Sequence, residues 1–293
     1  MKGAFIQTQM MGIPVYVQCR GKLKDLILKV LPYLREYLGS NGVLYCRLRK
    51  ALYRCVQASK LWYERLRAFL RTLGYEQSET DPCVFRRIVE NRVYLFMVYV
   101  DDLLIFASDK ELKWIEQAFT KEFCWITMEI GMIHSYLGMQ LEFADDKFTI
   151  DMTFYLEKIL GEFPNLKEEA LLGKKDLVVT DQNAVALLEK ASRSFHTVVA
   201  KLLYLSWRAR PDIITSVGFL CTRVKAPAED DNRKLQQVLG YLLKTKKKVL
   251  VLRQSESFKV VAYIDMSYAI HNDGKSHSGL VVFVGGMTVF CAS

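Results

Sequence analysis

The sequence predicts an α+β protein whose first part is built on an antiparallel sheet. Strand-like and helix-like segments follow each other between residues 43 and 151 in an order that fits a split βαβ unit. The 293 residues are 51% apolar, which is enough for a core in one large domain or two smaller ones. Two adjacent acids, Asp101 and Asp102, interrupt an apolar stretch from Val93 to Ala107. That pattern predicts two buried strands joined by a tight turn.

The elements before this turn follow from periodicity and from turn residues. Apolar and polar residues alternate in patches between residues 3 and 19, which predicts a strand, a turn and a second strand. In residues 22–38 the apolar residues are spaced as in a helix, which Pro32 should break or kink. Asn41 and Gly42 indicate a turn before a strand at residues 43–48. The clearest helix covers residues 59–73, with Gly74 as its stop. Its aromatic and leucine face includes Trp62 and Phe69, which are predicted core residues.

The elements around and after the acidic turn are predicted in the same way. A strand at residues 83–88 leads into the strand pair, and Asp109 is a candidate N-cap for a helix that ends near residue 123. Residues 124–130, 138–143 and 148–151 have strand character, as do residues 259–265 and 279–284. Residues 195–208 and 230–243 are predicted helices, and the polar residues 174–194 are a predicted linker.

The acidic pair allows two interpretations. Unpaired buried carboxylates are costly and repel each other, and a divalent cation such as Mg²⁺ would remove both problems because it prefers hard oxygen ligands. An ordinary exposed hairpin turn explains the spacing equally well, since Asp is common in turns. A second pair, Asp145 and Asp146, lies in a polar turn and indicates ordinary turn chemistry.

Positive charge is concentrated in two blocks of a chain with a net charge of +9. Eight cations against one acid occupy residues 47–71, and six cations without an acid occupy residues 233–248. Such blocks suit binding to a phosphate backbone with salt-sensitive affinity, while a solvated helix face is the alternative.

Several classes of protein are not indicated. The seven cysteines form no Cys-x-x-Cys pair, which favours reduced structural thiols in an intracellular protein, cytoplasmic or nuclear. No signal peptide and no uncharged run of about 18 apolar residues is present, so membrane insertion is not indicated. Gly274, Lys275 and Ser276 lack the context of a P-loop, and His271, His277 and Cys291 are too sparse for zinc.

Six segments in order resemble the reverse transcriptases of copia-type retrotransposons. The segments are Tyr99-Val-Asp-Asp102, residues 50–63 (KALYRCVQASKLWY), 80–85 (TDPCVF), 135–141 (SYLGMQL), 195–205 with 210–213 (FHTVVAKLLYL, RPDI), and 262–269 with 275–279 (AYIDMSYA, KSHSG). The resemblance implies a palm with truncated fingers at residues 1–160, a linker with thumb- or connection-like helices at 161–250, and an N-terminal fragment of a ribonuclease H-like domain at 256–293.

The resemblance also implies roles for single residues. Asp101 and Asp102 match the catalytic ligands of Mg²⁺ or Mn²⁺, and Asp265 matches the first metal-binding aspartate of ribonuclease H. Phe5 matches the steric gate against the ribose 2′-hydroxyl, although a core aromatic on a strand is an equal alternative. Tyr53 and Gln57 match the segment that lines the nucleotide site.

Arg54 stands between those two residues where the family usually has glycine. Glycine at such a position indicates a close backbone approach or an unusual dihedral angle. An arginine there is expected to crowd the site, unless it serves as an extra phosphate ligand.

The implied function is an RNA-directed DNA polymerase that acts on a primer–template duplex and a deoxynucleoside triphosphate by two-metal phosphoryl transfer. Such a polymerase holds its metals with three carboxylates, and by register the third would lie one residue before Met1. We therefore expect a truncated and impaired polymerase, with a catalytically inactive remnant that only binds nucleic acid as the alternative. Whether a second chain supplies the missing segments is left open by the sequence. Ribonuclease activity is not expected, because the further carboxylates that it needs would lie beyond Ser293.

Overall fold

The chain forms two units, Met1–Glu129 and Ile130–Ser293, in a computed structural model. The structure describes residues 3–12, 14–123, 126–173, 177–181, 183–253, 258–270 and 274–293. The prediction at His271 and part of the strand predicted at residues 124–130 lie outside these ranges. The described part of the chain contains no helix that is both long and apolar enough to cross a membrane.

The described residues of the first unit form three α-helices and six strands. A 3₁₀ turn at Phe5–Gln7 precedes β1 (Tyr16–Cys19), α1 (Gly21–Val30), a second 3₁₀ segment at Pro32–Tyr37 and β2 (Leu44–Arg47). There follow α2 (Ala58–Thr72), β3 (Glu76–Gln77), β4 (Val84–Val89), β5 (Arg92–Tyr99), β6 (Asp102–Phe106) and α3 (Asp109–Glu122). β1 pairs with β2, and β3 to β6 form an antiparallel sheet in sequence order.

One face of the four-stranded sheet carries the core of this unit. Along β5, Tyr94, Phe96 and Val98 are buried, while the residues between them turn to the other face, where Val93 and Tyr99 are more than half exposed. Alternation of this kind is typical of a sheet covered on one side. α2 and α3 cover the buried face with apolar residues spaced at helical intervals: Trp62, Leu66, Leu70, Ile115 and Phe119.

Most predicted elements of the first unit are confirmed, with two corrections. Pro32 ends α1 and begins a 3₁₀ segment, as expected for a residue without an N–H. Phe5 lies on a 3₁₀ turn and not on a strand, because residues 5–7 bond locally instead of pairing with a neighbour. Ser108, not Asp109, is the N-cap of α3, since its hydroxyl accepts the Glu111 N–H.

The antiparallel sheet is confirmed, whereas the split βαβ crossover stays a prediction. The strands β3 to β6 neighbour each other in sequence order, and the described part of this sheet contains only antiparallel pairs. Of the two strands predicted at residues 3–19, the first is the 3₁₀ turn that contains Phe5 and the second is β1.

In the second unit, the residues that the structure describes form two antiparallel sheets and four α-helices. Its elements are β7 (Ile133–Tyr136), β8 (Met139–Phe143), β9 (Lys147–Asp151), α4 (Thr153–Leu160), α5 (Glu189–Arg208), α6 (Ile214–Arg223), α7 (Glu229–Lys244), β10 (Leu250–Arg253), β11 (Val260–Ser267), β12 (His277–Val284) and β13 (Met287–Ala292). The sheets have the orders β10–β9–β8–β7 and β11–β12–β13. Apolar faces of α5, α6 and α7 form the buried core.

Two features fix the helices of this core. Arg210 is 3% exposed and donates to both carboxylate oxygens of Asp212, at 2.9 and 2.8 Å, and to Thr245. Gly240 in α7 is in close contact with another segment, because a Cβ atom there would lie 2.4 Å from the Lys167 carbonyl oxygen. Only glycine fits this approach without movement of the backbone.

Predictions for the second unit are confirmed for β8, β9, β11, β12, α5 and α7. The described residues 126–130 do not form the strand expected there, and the strand lies instead at β7. The predicted linker is shorter than expected because α5 begins at Glu189, inside it. The helices α4 and α6 and the strands β10 and β13 were not predicted.

Candidate active site

The acidic pair lies at a hairpin with a two-residue turn, with Asp101 in the turn and Asp102 as the first residue of β6. Tyr99 pairs with Asp102 across β5 and β6, so Val100 and Asp101 form the loop, as predicted. Asp102 is exposed and Asp101 is half-buried. The expectation of two buried strands is therefore wrong, because β5 is buried on one face only and β6 contains no buried residue. The alternative interpretation, an exposed hairpin turn, describes the position of Asp102.

The backbone of the turn has an unusual conformation. Val100 has φ +55°, a region that β-branched residues rarely occupy. Its carbonyl oxygen accepts a hydrogen bond of 2.6 Å from the indole nitrogen of Trp62 in α2. Trp62 is 1% exposed and its ring meets Phe123 edge-on at 5.5 Å.

Three predicted site residues lie together at this turn. The Tyr53 hydroxyl donates to a carboxylate oxygen of Asp101 over 3.0 Å. The Phe5 ring packs against the Tyr53 ring with 4.6 Å between centroids, and Phe5 is itself buried. Partial burial raises the pKa of Tyr53, and the hydrogen bond to Asp101 and its negative charge raise it further. Tyr53 therefore stays protonated at neutral pH and remains a donor.

Arg54 has the left-handed backbone that the sequence indicates at this position, with φ +74° and an exposed side chain. Gln57 precedes α2, and its backbone carbonyl accepts the Leu61 N–H over 3.0 Å. The Gln57 side chain does not cap the helix. The structure thus joins Phe5, Tyr53 and Asp101 through contacts, whereas Gln57 is placed only by its sequence proximity to Tyr53.

The donor chemistry of the turn suits a hard divalent cation. Asp101 and Asp102 supply carboxylate oxygens at a solvent-accessible position, and Mg²⁺ is often held by one or two carboxylates with the remaining positions filled by water and phosphate. Within the described residues, no group of three or more His, Cys, Asp and Glu side chains could hold a metal. Asp265 lies on β11 in the second unit, exposed, with a carboxylate oxygen that accepts the Met266 N–H.

The two basic blocks differ in how much of their charge is neutralised. In the first, Arg65 pairs with Glu122 at 3.0 Å and Lys60 with Glu64 at 3.9 Å. Its exposed cations without a salt bridge among the described residues are Arg47, Arg49, Lys50, Arg54 and Arg71.

In the second block, Asp230 pairs with Arg233 at 2.7 Å and with the buried Lys234 at 2.9 Å, and Asp212 lies 3.9 Å from Lys248. A solvated or internally paired role therefore accounts for more of the second block than of the first.

Residues 26–170 match the family model described as reverse transcriptase (RNA-dependent DNA polymerase). Over 91% of its length the chain is 28% identical to the retrovirus-related Pol polyprotein from transposon TNT 1-94 of Nicotiana tabacum. Over 82% it is 28% identical to the Pol polyprotein from transposon RE2 of Arabidopsis thaliana. The chain belongs to the copia-type retrotransposon reverse transcriptases. The matched region includes the acidic hairpin, Tyr53 and Gln57 of this reverse transcriptase domain, whereas Phe5 and Asp265 lie outside it.

The chain covers only part of these relatives, 21% of the first and 16% of the second. It also is 26% identical, over 83% of its length, to a putative transposon Ty5-1 protein of Saccharomyces cerevisiae, of which it covers 79%. The chain thus spans about a fifth or less of these two Pol polyproteins, and its residues 26–170 match the reverse transcriptase model.

One residue at the reverse transcriptase hairpin was missed as a site residue. Trp62 was predicted as a core aromatic, which its burial confirms, but its bond to Val100 spans 38 residues of sequence. A buried indole N–H needs an acceptor, and that requirement was the available signal.

Proposed function

We propose that residues 1–160 of this chain form the palm of an RNA-directed DNA polymerase that holds Mg²⁺ or Mn²⁺ with Asp101 and Asp102. Its partners are a primer–template duplex and a deoxynucleoside triphosphate. When bound, the divalent cations neutralise the phosphate oxygens of an in-line displacement and stabilise the attacking and leaving oxygens.

The chain's own residues orient the reactants around that centre. Tyr53 orients the Asp101 carboxylate by donating a hydrogen bond to one of its oxygens. Phe5 supports the Tyr53 ring. The exposed Tyr53 ring offers an apolar surface beside Asp101, on which the sugar of an incoming nucleotide would rest, while the buried Phe5 ring packs behind it.

The observation that carries this proposal is the hydrogen bond between Tyr53 and Asp101. It joins two sequence segments, 48 residues apart, that the family resemblance assigns independently to one nucleotide site. Packing alone does not require this contact, because both side chains are partly exposed. Phe5, from a third segment, extends the same cluster.

A second candidate function is nucleic-acid binding without polymerisation. It is favoured by the absence, within the described residues, of a third ligand-type side chain that groups with Asp101 and Asp102. The five exposed cations of the first basic block would still contact phosphates in that case. Loss of one metal ligand lowers a rate by orders of magnitude but leaves electrostatic affinity for the duplex almost intact.

The test measures Mn²⁺ binding and primer extension side by side. Mn²⁺ affinity is followed by electron paramagnetic resonance, and extension of a DNA primer on an RNA template is followed with Mg²⁺ or Mn²⁺. Asp101→Asn and Asp102→Asn should each weaken Mn²⁺ binding at least tenfold, since each removes one charged ligand. Asp145→Asn is the matched control, because it changes an adjacent-aspartate pair in a polar turn of the second unit.

Extension that disappears in Asp101→Asn and persists in Asp145→Asn would support the polymerase. Salt-sensitive duplex binding without extension, together with Asp101-dependent Mn²⁺ binding, would favour the second candidate. Equal Mn²⁺ affinity in Asp101→Asn, Asp145→Asn and the unchanged chain would contradict the proposed metal site.

A further inference from the structure

The acidic hairpin contains a conformation that its own sequence disfavours. Val100 is β-branched, and a positive φ brings its Cβ close to the backbone carbonyl. A two-residue hairpin turn normally places glycine, Asn or Asp where φ is positive. Residues in such sparsely populated regions persist only where the surrounding structure determines them.

The surrounding structure supplies one strong contact to this residue. The Trp62 indole N–H donates to the Val100 carbonyl oxygen over 2.6 Å. The donor is held rigidly, because Trp62 is fully buried in α2 and its ring packs edge-on against Phe123. Indole has a single donor, so the Val100 carbonyl is the acceptor that satisfies it.

This bond acts directly on the backbone of Asp101. The carbonyl of Val100 and the N–H of Asp101 belong to one planar peptide unit. An oxygen that is fixed from α2 therefore also fixes the plane from which the Asp101 side chain leaves the backbone. The Tyr53 hydroxyl fixes the other end of the same residue, at its carboxylate.

We propose that Trp62 is a positioning residue that holds the Val100–Asp101 peptide in the orientation needed for Asp101 to bind a divalent cation. The inference rests on the proposed metal site. It assigns to Trp62 a role beyond core packing, because the bond acts on a backbone conformation that valine does not adopt without support.

Two variants separate the bond from the packing. Trp62→Phe keeps an aromatic ring and removes the N–H, and β-(3-benzothienyl)alanine at position 62 keeps the shape of tryptophan without the N–H. Each is also made in a Val100→Gly background, since glycine populates positive φ without strain and needs no external hold. Trp114→Phe is the matched control, because Trp114 lies in α3 and stacks on Arg87.

Mn²⁺ affinity is measured by electron paramagnetic resonance, and backbone opening by hydrogen–deuterium exchange of the peptide that contains residues 98–103. With valine at position 100, loss of the N–H should weaken Mn²⁺ binding about tenfold and speed exchange in this peptide. With glycine at position 100, the same loss should weaken binding less than about threefold, because the strain is gone. Trp114→Phe should change neither quantity.

The inference is overturned if the benzothienyl variant exchanges in this peptide as slowly as the unchanged chain, whatever its Mn²⁺ affinity. It is also overturned if loss of the N–H weakens Mn²⁺ binding equally in the valine and glycine backgrounds, since the bond would then not act through Val100. Faster exchange in the benzothienyl variant, together with Mn²⁺ binding that does not depend on Asp101, would leave the positioning of the hairpin intact and would contradict only the proposed function.

Discussion

Arg54→Gly should stabilise the first unit. Arg54 has φ +74°, and a residue with a Cβ atom in this region costs about 1–2 kcal/mol relative to glycine. Glycine also makes the unfolded chain more flexible, which costs about 0.4–1 kcal/mol. The difference predicts a net gain of about 1 kcal/mol in the free energy of unfolding. The exposed arginine side chain makes no salt bridge among the described residues that would be lost.

Urea unfolding followed by tryptophan fluorescence measures this gain in the first unit. Trp207→Phe removes the tryptophan of the second unit and leaves three, at positions 62, 114 and 125, all in the first. At a slope of about 1–3 kcal/mol per molar urea, a gain of about 1 kcal/mol moves the midpoint upward by about 0.3–1 M. The slope itself should not change.

Two controls isolate the backbone dihedral. Arg54→Ala removes the charge and the long side chain but keeps the Cβ atom, so its stability should stay within about 0.5 kcal/mol of the unchanged chain. Gly42→Ala should lose about 1 kcal/mol, because Gly42 has φ +66° and an added Cβ atom would meet no other atom within 4 Å. Equal midpoints for Arg54→Gly and Arg54→Ala would refute the reasoning from the dihedral.

Three further predictions concern charge, pH and packing. Arg47→Ala should reduce the dependence of log affinity for duplex on log salt by about 1, whereas Arg233→Ala, whose charge is already paired, should reduce it less; equal slopes would contradict this assignment. Burial opposes charge on Asp212, but hydrogen bonds and ion pairs outweigh burial and lower the pKa of this carboxyl. Because the folded pKa is lowered, this stability is present above the unfolded value of about 3.9 and is lost as pH falls through the folded value. The thermal stability of the second unit should therefore decrease below about pH 4. The Asp212→Asn substitution should make this stability less dependent on pH. Gly240→Ala should destabilise α7 by about 1–3 kcal/mol in a urea titration, although alanine favours helix, because the new Cβ atom overlaps the Lys167 carbonyl; a gain in stability would contradict the close contact.

Much of the first unit follows from local sequence. The apolar stretch around Asp101 and Asp102 predicts the β5–β6 hairpin because strand propensity and turn chemistry agree there. The helical face of residues 59–73 predicts α2 to within one residue at each end. The glycine that the family usually has at the position of Arg54 indicates an unusual backbone dihedral there, because glycine tolerates a positive φ. The structure confirms this, since Arg54 has φ +74°.

Other features depend on contacts between distant segments and could not be predicted. Residues 3–19 alternate like strands, but residues 5–7 form local hydrogen bonds and place Phe5 on a 3₁₀ turn against Tyr53. The bond from Trp62 to Val100 requires the register of α2 on the sheet, which no local pattern contains. The pairing of Lys234 with Asp230 likewise neutralises part of the second basic block. Asp230 lies outside this block in the sequence, but helical spacing of four residues places it beside Lys234.

The exposed position of the two aspartates changes the physical case for a metal. Carboxylates buried between strands would have required a cation for folding, but Asp102 is exposed and Asp101 has a hydrogen-bond donor in Tyr53. Solvent at Asp102 and the Tyr53 hydroxyl at Asp101 stabilise the two charges, so we expect the hairpin to fold without metal. A cation at this turn would instead bind weakly until phosphate oxygens complete its coordination, which is the usual arrangement for Mg²⁺. The family resemblance and the Tyr53 contact thus support the metal site, and the folding energy of the hairpin does not.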